Sequence, residues 1–209
     1  MRDKKKQKRD PAKTREKILM AAESEFSEKG YYGGRIDVIA SRAGVNKRMI
    51  YEYYGNKQEL YKTIFVYVYT RLGEGENKIL TSETDCVKAI KKIIAFYFEY
   101  LAENPSYINL LLQENLNKGK AIKNMDFSKI RDSGLKNLRK HLEDGKKQGI
   151  FRKDISSEDI EISILLLTFA NFSNKYTFFH LIKKDFLDPK VMKKRLKHVT
   201  DLFLRYLLV

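Results

Sequence analysis

The chain has 209 residues, which allows one large domain or two smaller ones and is ample for a real core. Its 42 Lys/Arg against 27 Asp/Glu give a net charge of +15, a balance that suits a polyanionic partner. A single cysteine, Cys86, excludes an intramolecular disulfide and fits a reducing, cytoplasmic compartment; its residue type suits a small, partly buried apolar position better than a reactive thiol. The basic start leads into a polar helix, so no secretory signal is expected, and the most apolar stretch, 160–172, is interrupted by Glu161 and too short to span a bilayer.

Residues 1–13 read as a basic arm able to follow a phosphate backbone or to remain a solvated tail. Asp10-Pro11 or Thr14 opens a first helix, with Ile18, Leu19, Ala22 and Phe26 as its buried stripe and Gly30 as its end. From residue 36 the spacing predicts two short helices around a tight turn. Ile36, Ile39, Ala40 and Ala43 make one apolar face, Gly44 stands where a left-handed residue ends a helix, and Asn46 caps a second helix over 46–54. On that second helix Ile50 and Tyr54 face inward, while Lys47, Arg48, Met49, Glu52 and Tyr53 lie outward or on the flanks. Ala40 lets the two helices cross closely. This is a helix-turn-helix pattern whose second helix presents basic and aromatic groups as a major-groove reader must; the bland alternative is a helical hairpin with a solvated charged face.

Asn56 and Glu59 form a capping-box pair for a connector helix over 56–72, on which Leu60, Ile64, Val68 and the aromatics Tyr61, Phe65 and Tyr69 can pack on both sides. Residues 14–60 resemble the head of the tetracycline-repressor-like (TetR) family of bacterial transcription regulators. The resemblance rests on Ala21-Ala22, Phe26, Lys29-Gly30, Ile39-Ala40, Ala43-Gly44-Val45, Tyr51-x-Tyr53-Tyr54, and Asn56-Lys57 before Leu60. It implies a three-helix DNA-binding head at 14–55 and a larger all-α domain at 56–209 that dimerises and usually binds a small molecule. Two departures stand out. Gly34-Arg35 replaces the Thr or Ser common before the second helix, which leaves that helix less well capped but offers Arg35 to a phosphate. Arg48 and Met49 replace the Gly and Thr common early in the reading helix, so no operator sequence carries over. Lys57, Tyr51 and Tyr53 are candidate phosphate contacts, and Lys47, Arg48 and Met49 candidate base contacts.

Past the connector the pattern is helical throughout. Gly73-Glu74-Gly75 is expected to break the connector, and helices follow over 83–102, 106–116 and 126–148. Ser156 or Ser157 caps a helix running to Phe179, apolar nearly all round and therefore expected to be buried on more than one side. Asp188-Pro189 begins a last helix whose Met192, Leu196, Val199, Phe203 and Tyr206 make a stripe suited to a helix bundle across a twofold axis or to packing within the chain. The resemblance favours the first, a homodimer through the last two helices.

The chain holds 13 tyrosines and 12 phenylalanines, which suggest an apolar, aromatic cavity for an unidentified small-molecule effector. Its candidate lining residues are Phe65, Tyr69, Phe96, Tyr97, Tyr100, Tyr107, Phe127, Phe169 and Tyr176. Neither a cofactor nor a metal is implied: His141, His180 and His198 are far apart, and no phosphate loop, nucleophile elbow or zinc spacing occurs. The expectation is therefore an all-α, ligand-responsive DNA-binding regulator, a repressor released from a palindromic operator by an apolar or amphipathic molecule. The rivals are a nonspecific basic protein that coats nucleic acid or a membrane surface, and an all-α enzyme.

Overall fold

The computed structural model describes residues 10–127 and 134–209. Among these the regular elements are ten helices and one antiparallel bridge, Phe151 to Leu208. No helix of the described residues is long and apolar enough to cross a membrane. The chain divides into two compact units. One comprises the described parts of Met1–Tyr67 with Asn109–Met125, and the other those of Val68–Ile108 with Asp126–Val209.

The first unit begins with α1, Pro11–Gly33, where Asp10 accepts hydrogen bonds from the amides of Ala12 and Lys13 and Pro11 occupies the first turn. Ile18, Ala22 and Phe26 are fully buried on it. At Gly30 the backbone turns non-helical (φ 66°, ψ −178°), so the expected end of the helix is a kink with one more turn beyond. α2, Ile36–Ala43, buries Ile36, Ile39, Ala40 and Ala43 and packs on α1; Gly44 closes it in the left-handed conformation (φ 65°, ψ 36°), which a residue with a side chain adopts at a cost. Arg35 gives α2 no side-chain cap, as the sequence suggested. Its backbone N–H instead donates to Glu25 Oε1 of α1 at 3.0 Å. α3, Lys47–Tyr54, is capped by Asn46 and anchored by the buried Ile50.

α4, Lys57–Ser82, opens with the Glu59 amide donating to Asn56 Oδ1 at 3.0 Å. In this unit its buried Tyr61 stands edge-on to Phe26, Tyr31 and Phe65, at 4.9, 5.1 and 5.2 Å between ring centres. The Tyr61 hydroxyl donates to Glu114 Oε2 at 3.0 Å. Glu114 lies in α6, Pro105–Leu116, whose second half belongs to this unit.

The second unit is built around α5, Cys86–Glu103, capped by Asp85 and burying Ile90, Ile93, Ile94, Tyr97, Phe98 and Leu101. Three helices pack on α5: α7 (Gly134–Lys147), α8 (Ser157–Ser173) and α10 (Pro189–Leu207). α9 is Lys175–Ile182. α8 is capped by Ser156 and α10 by Asp188. Cys86 is buried, as its residue type suggested.

Three expectations are corrected here. Gly73 and Gly75 do not break the connector, because α4 continues to Ser82. A Cβ on Gly75 would lie 2.4 Å from Phe96 Cζ, so the glycine thins the helix where a ring from α5 crosses it. The single helix expected up to Phe179 is two, parted at Asn174, whose side-chain amide donates to the Ala170 carbonyl and to Ser173 Oγ. Nor is the stripe of the last helix wholly left for a partner: Val199 and Phe203 of it are buried within the chain, with Leu207 beyond them, where α10 packs on α5. Of the helix expected over 126–148, residues 128–133 lie outside the described residues, as do 1–9 of the basic arm.

Candidate nucleic-acid interface and aromatic core

α3 is short and is held from behind. Ile50 plugs it into the head, and Tyr54, half-buried, donates its hydroxyl to the Arg15 carbonyl at 3.1 Å; burial pushes that phenol's ionisation up. The brace under α2 is ionic. Arg42 reaches Glu28 Oε1 at 3.3 Å, Ser24 Oγ at 2.8 Å and the buried Glu25 at 3.5 Å, and with Ser24 it holds the Glu28 carboxyl below its usual range. Arg42 thus fixes α2 on α1 and is committed to structure.

On the outer side Lys47, Arg48 and Tyr51 are exposed together on one face of α3, and Arg35 is exposed just before α2. Each α3 cation carries a solvated partner. Arg48 Nε donates to Glu52 Oε1 at 2.8 Å with the guanidinium 85% exposed. Lys47 Nζ lies 2.9 Å from Asp37 Oδ1; the contact lowers the Asp37 carboxyl and raises the Lys47 ammonium. Exposed pairs of this kind are screened by water and hold weakly, so exchanging the carboxylate for a phosphate or base edge costs little. Met49 and Tyr53 are half-buried, Tyr53 lying under the Arg15 guanidinium at 5.2 Å. Arg15 was not among the sequence candidates. Only the fold brings it to α3, and no local pattern marks it.

Lys57 is placed differently from expectation. It is half-buried, with Nζ 5.0 Å over the Tyr31 ring and 3.5 Å from the Tyr32 carbonyl, and burial lowers its ammonium. Here it clamps the start of α4 to the end of α1.

Most of the aromatic candidates gather in the second unit, on the later part of α4, on α5 and at the start of α6. Tyr69 stands edge-on to Tyr107 at 5.8 Å and to Phe127 at 6.0 Å. Tyr100 meets Tyr107 at 5.8 Å and Phe96 at 5.5 Å, and Phe96 meets Tyr97 at 5.7 Å. Arg71 Nε donates to the Tyr100 hydroxyl at 3.2 Å. A residue that the sequence reading passed over sits with them: Glu76, 6% exposed, accepts a hydrogen bond from the Tyr97 hydroxyl at 2.8 Å. Burial raises its carboxyl to about 7, against a smaller lowering by Tyr97. Glu76 follows Gly73 and Gly75, whose spacing predicts a break, and no local pattern marks it as a core residue.

Three candidates do not join this group as expected. Phe65 is buried in the other unit, against Tyr61. Phe169 is half-buried on α8. Tyr176 is 73% exposed on α9, at the surface and under the Lys175 ammonium at 5.0 Å, which removes it from a cavity lining.

Comparison with known proteins bears on both units. Residues 18–64 match the family model for bacterial regulatory proteins of the tetR family, and residues 87–203 match that of the tetracyclin repressor-like C-terminal domain. The chain is 32% identical over 194 residues to the HTH-type transcriptional repressor NicS of Pseudomonas putida, covering 92% of each. Its fold is that of the fatty acid degradation regulator FadR from Bacillus halodurans, with a TM-score of 0.71, 23% identity and coverage of 95% of this chain and 97% of that one. The transcriptional regulator FadR from Bacillus subtilis, solved in complex with stearoyl-CoA, superposes with a TM-score of 0.67 at 20% identity, covering 88% of this chain and 96% of that one. With a helix-turn-helix head, an all-α second unit and matches over nearly its whole length, the chain belongs to the tetR family of DNA-binding transcriptional regulators.

Proposed function

We propose that the chain represses transcription by binding a palindromic operator as a homodimer, and that a small apolar or amphipathic effector held in the aromatic core releases it. The observation that carries this reading is the unbroken course of α4 from Lys57 to Ser82. One helix bears Tyr61 in the core of the DNA-reading unit and Tyr69 and Glu76 in the aromatic core of the other. A helix that contributes side chains to both sites is an element on which coupling between them can act. α6 is a second such element, with Tyr107 near its start and Gln113 and Glu114 near its end. That NicS is named a repressor, and that the Bacillus subtilis FadR was solved with an acyl-CoA, supports the repressing and ligand-responsive parts of the reading.

Arg35, Lys47, Arg48, Met49, Tyr51 and Tyr53 are the DNA contacts, from a head at 14–55 preceded by the arm at 1–13; Lys57 positions α4. The rest of the chain holds effector and partner. The dimer surface lies on the last helices, where Ile162 and Leu166 of α8, Leu181 and Ile182 of α9 and Leu202 of α10 are exposed by 45–75%. Exposed apolar groups on this scale mark an interaction surface. The protein works in the cytoplasm, where the operator is.

Selection of bound duplexes from a random pool by the full-length protein tests the reading. It should return a palindrome with half-sites about one helical turn apart or somewhat more. Recovery of duplexes without a common sequence would favour nonspecific binding by net charge alone.

A further inference from the structure

The buried carboxylates of this chain are not treated alike. Glu161, 3% exposed, receives the Arg139 guanidinium at 2.7 and 3.1 Å. Glu25 has Arg42 and the Arg35 amide. Glu114 accepts from the Tyr61 hydroxyl, the Asn117 side chain and the Ala121 amide. Glu76, also buried, receives the Tyr97 hydroxyl, and among the described residues no Lys or Arg forms an ion pair with it. A buried acid is normally matched by a cation or several donors, because burial without them disfavours its charged form. The surroundings are rings: Tyr97 touches the carboxyl, and Tyr107, Tyr69, Tyr100 and Phe96 continue the cluster at 5.5–5.8 Å spacings. A buried carboxyl beside a cluster of aromatic rings is an environment for an organic cation. A second unmatched group lies in the same unit. Asn171 of α8 is 4% exposed, and neither end of its amide is hydrogen bonded.

We propose that this core binds an amphipathic organic cation, an aromatic amine or quaternary ammonium whose charge rests between the Glu76 carboxyl and the tyrosine faces. The proposal rests on the reading of this core as the effector site and adds the effector's charge and class. Burial pushes the Glu76 carboxyl up to about 7, so a bound cation holds it as the carboxylate and sends its proton to solvent. The neighbours that face it do not compete for that proton. Tyr97 of α5 and Tyr107 of α6 are held well above their ordinary range by burial, Tyr69 and Tyr100 complete the ring cluster, and Arg71 is bonded to Tyr100. From α8 Glu161 is forked to Arg139 of α7; from α7 His141 lies against the Leu80 carbonyl, one turn beyond Glu76 on α4.

Isothermal titration calorimetry of the full-length protein with benzyltrimethylammonium, benzyl alcohol and benzoate tests this. At pH 8 the cation should bind at least about tenfold tighter than the alcohol, and benzoate should bind worst. Lowering the pH to 6 should weaken the cation about tenfold and release close to one proton per cation bound, read from buffers of different ionisation enthalpy. Glu76→Gln should abolish both the preference and the proton release. Equal binding of cation and alcohol, absence of cation binding, or an unchanged preference in Glu76→Gln would each overturn the proposal. Should that variant fail to fold, the proton release of the wild type decides alone: a cation that binds without releasing one contradicts it. The two readings also fail apart. A cation that binds through Glu76 without disturbing the operator complex sustains this proposal and counts against the effector reading. Release by benzyl alcohol or benzoate with no cation binding does the reverse.

Discussion

The Tyr61 hydroxyl donates to Glu114 Oε2 at 3.0 Å, and this buried bond ties α4 to the second half of α6 inside the DNA-reading unit. Both helices also contribute aromatic side chains to the other unit, Tyr69 from α4 and Tyr107 from α6. Movement of either helix relative to the other must strain this bond. Tyr61→Phe keeps the ring and removes the donor, leaving Glu114 with Asn117 and the Ala121 amide. The loss should cost about 1–3 kcal/mol in urea denaturation of the full chain, the range for depriving a buried polar group of its partner. Operator binding should survive while effector-induced release is blunted, read by fluorescence anisotropy.

Phe65→Ala separates a core role from an effector role. The ring is 1% exposed and packs on Tyr61 in the head's own unit, so its removal should destabilise that unit by about 3–5 kcal/mol. Operator affinity should therefore fall along with thermal stability. A variant as stable as the wild type with weakened effector binding would return Phe65 to the effector site.

Glu76 should make stability depend on pH in a definite direction. Its folded carboxyl titrates near 7, above the ordinary 4.5, so between those values the folded chain binds more protons than the unfolded one. Stability then falls as the pH rises through that window, and the penalty, absent below 4.5, is complete above 7. At about 1.4 kcal/mol per pH unit the span corresponds to an upper limit of about 3.5 kcal/mol. Glu76→Gln should remove this slope and stabilise the protein at pH 8, as chemical denaturation at a series of pH values will show.

Several features of the fold were legible because they are decided locally. Asp10, Asn46, Ser156 and Asp188 cap the helices they precede, and Gly44 closes α2 left-handed, each through backbone bonds within a few residues. The misread features were decided by distant partners. Gly73 and Gly75 look like breakers in sequence, yet the Phe96 ring makes Gly75 a packing residue inside a helix. Lys57 reads as a phosphate ligand from its place at a helix start, whereas its contacts with Tyr31 and Tyr32, just past the kink at Gly30, depend on how α1 and α4 meet. The break at Asn174 has neither proline nor glycine to announce it. In the site, the α3 face was readable from helical periodicity, whereas Arg15, Arg42 and Glu76 depend on which helices meet.

The exposed apolar residues of the last helices predict the oligomer. Leu166, 62% exposed at the surface of α8, should lie within the dimer interface, and Leu166→Glu would place a charge there without touching the chain's own core. Light scattering should show the wild type as a dimer and the variant shifted toward monomer at micromolar concentration. Operator affinity should fall with it, since one head holds one half-site. A variant that stays dimeric would move the interface elsewhere.

The central claim is that α3 reads sequence, with Arg48 as a base contact and not one more positive charge. The direct measurement is the affinity of the wild type and of Arg48→Ala for the selected palindrome and for a scrambled duplex, across a salt series. The wild type should prefer the palindrome by about a thousandfold or more and bind it as two chains per duplex. Arg48→Ala should lose about 1–3 kcal/mol on the palindrome, relaxing specificity at one base position in each half-site, with far less change on the scrambled duplex. Equal loss on both duplexes, with the salt slope lowered alike on each, would make Arg48 a backbone contact and contradict the reading of α3 as the recognition element.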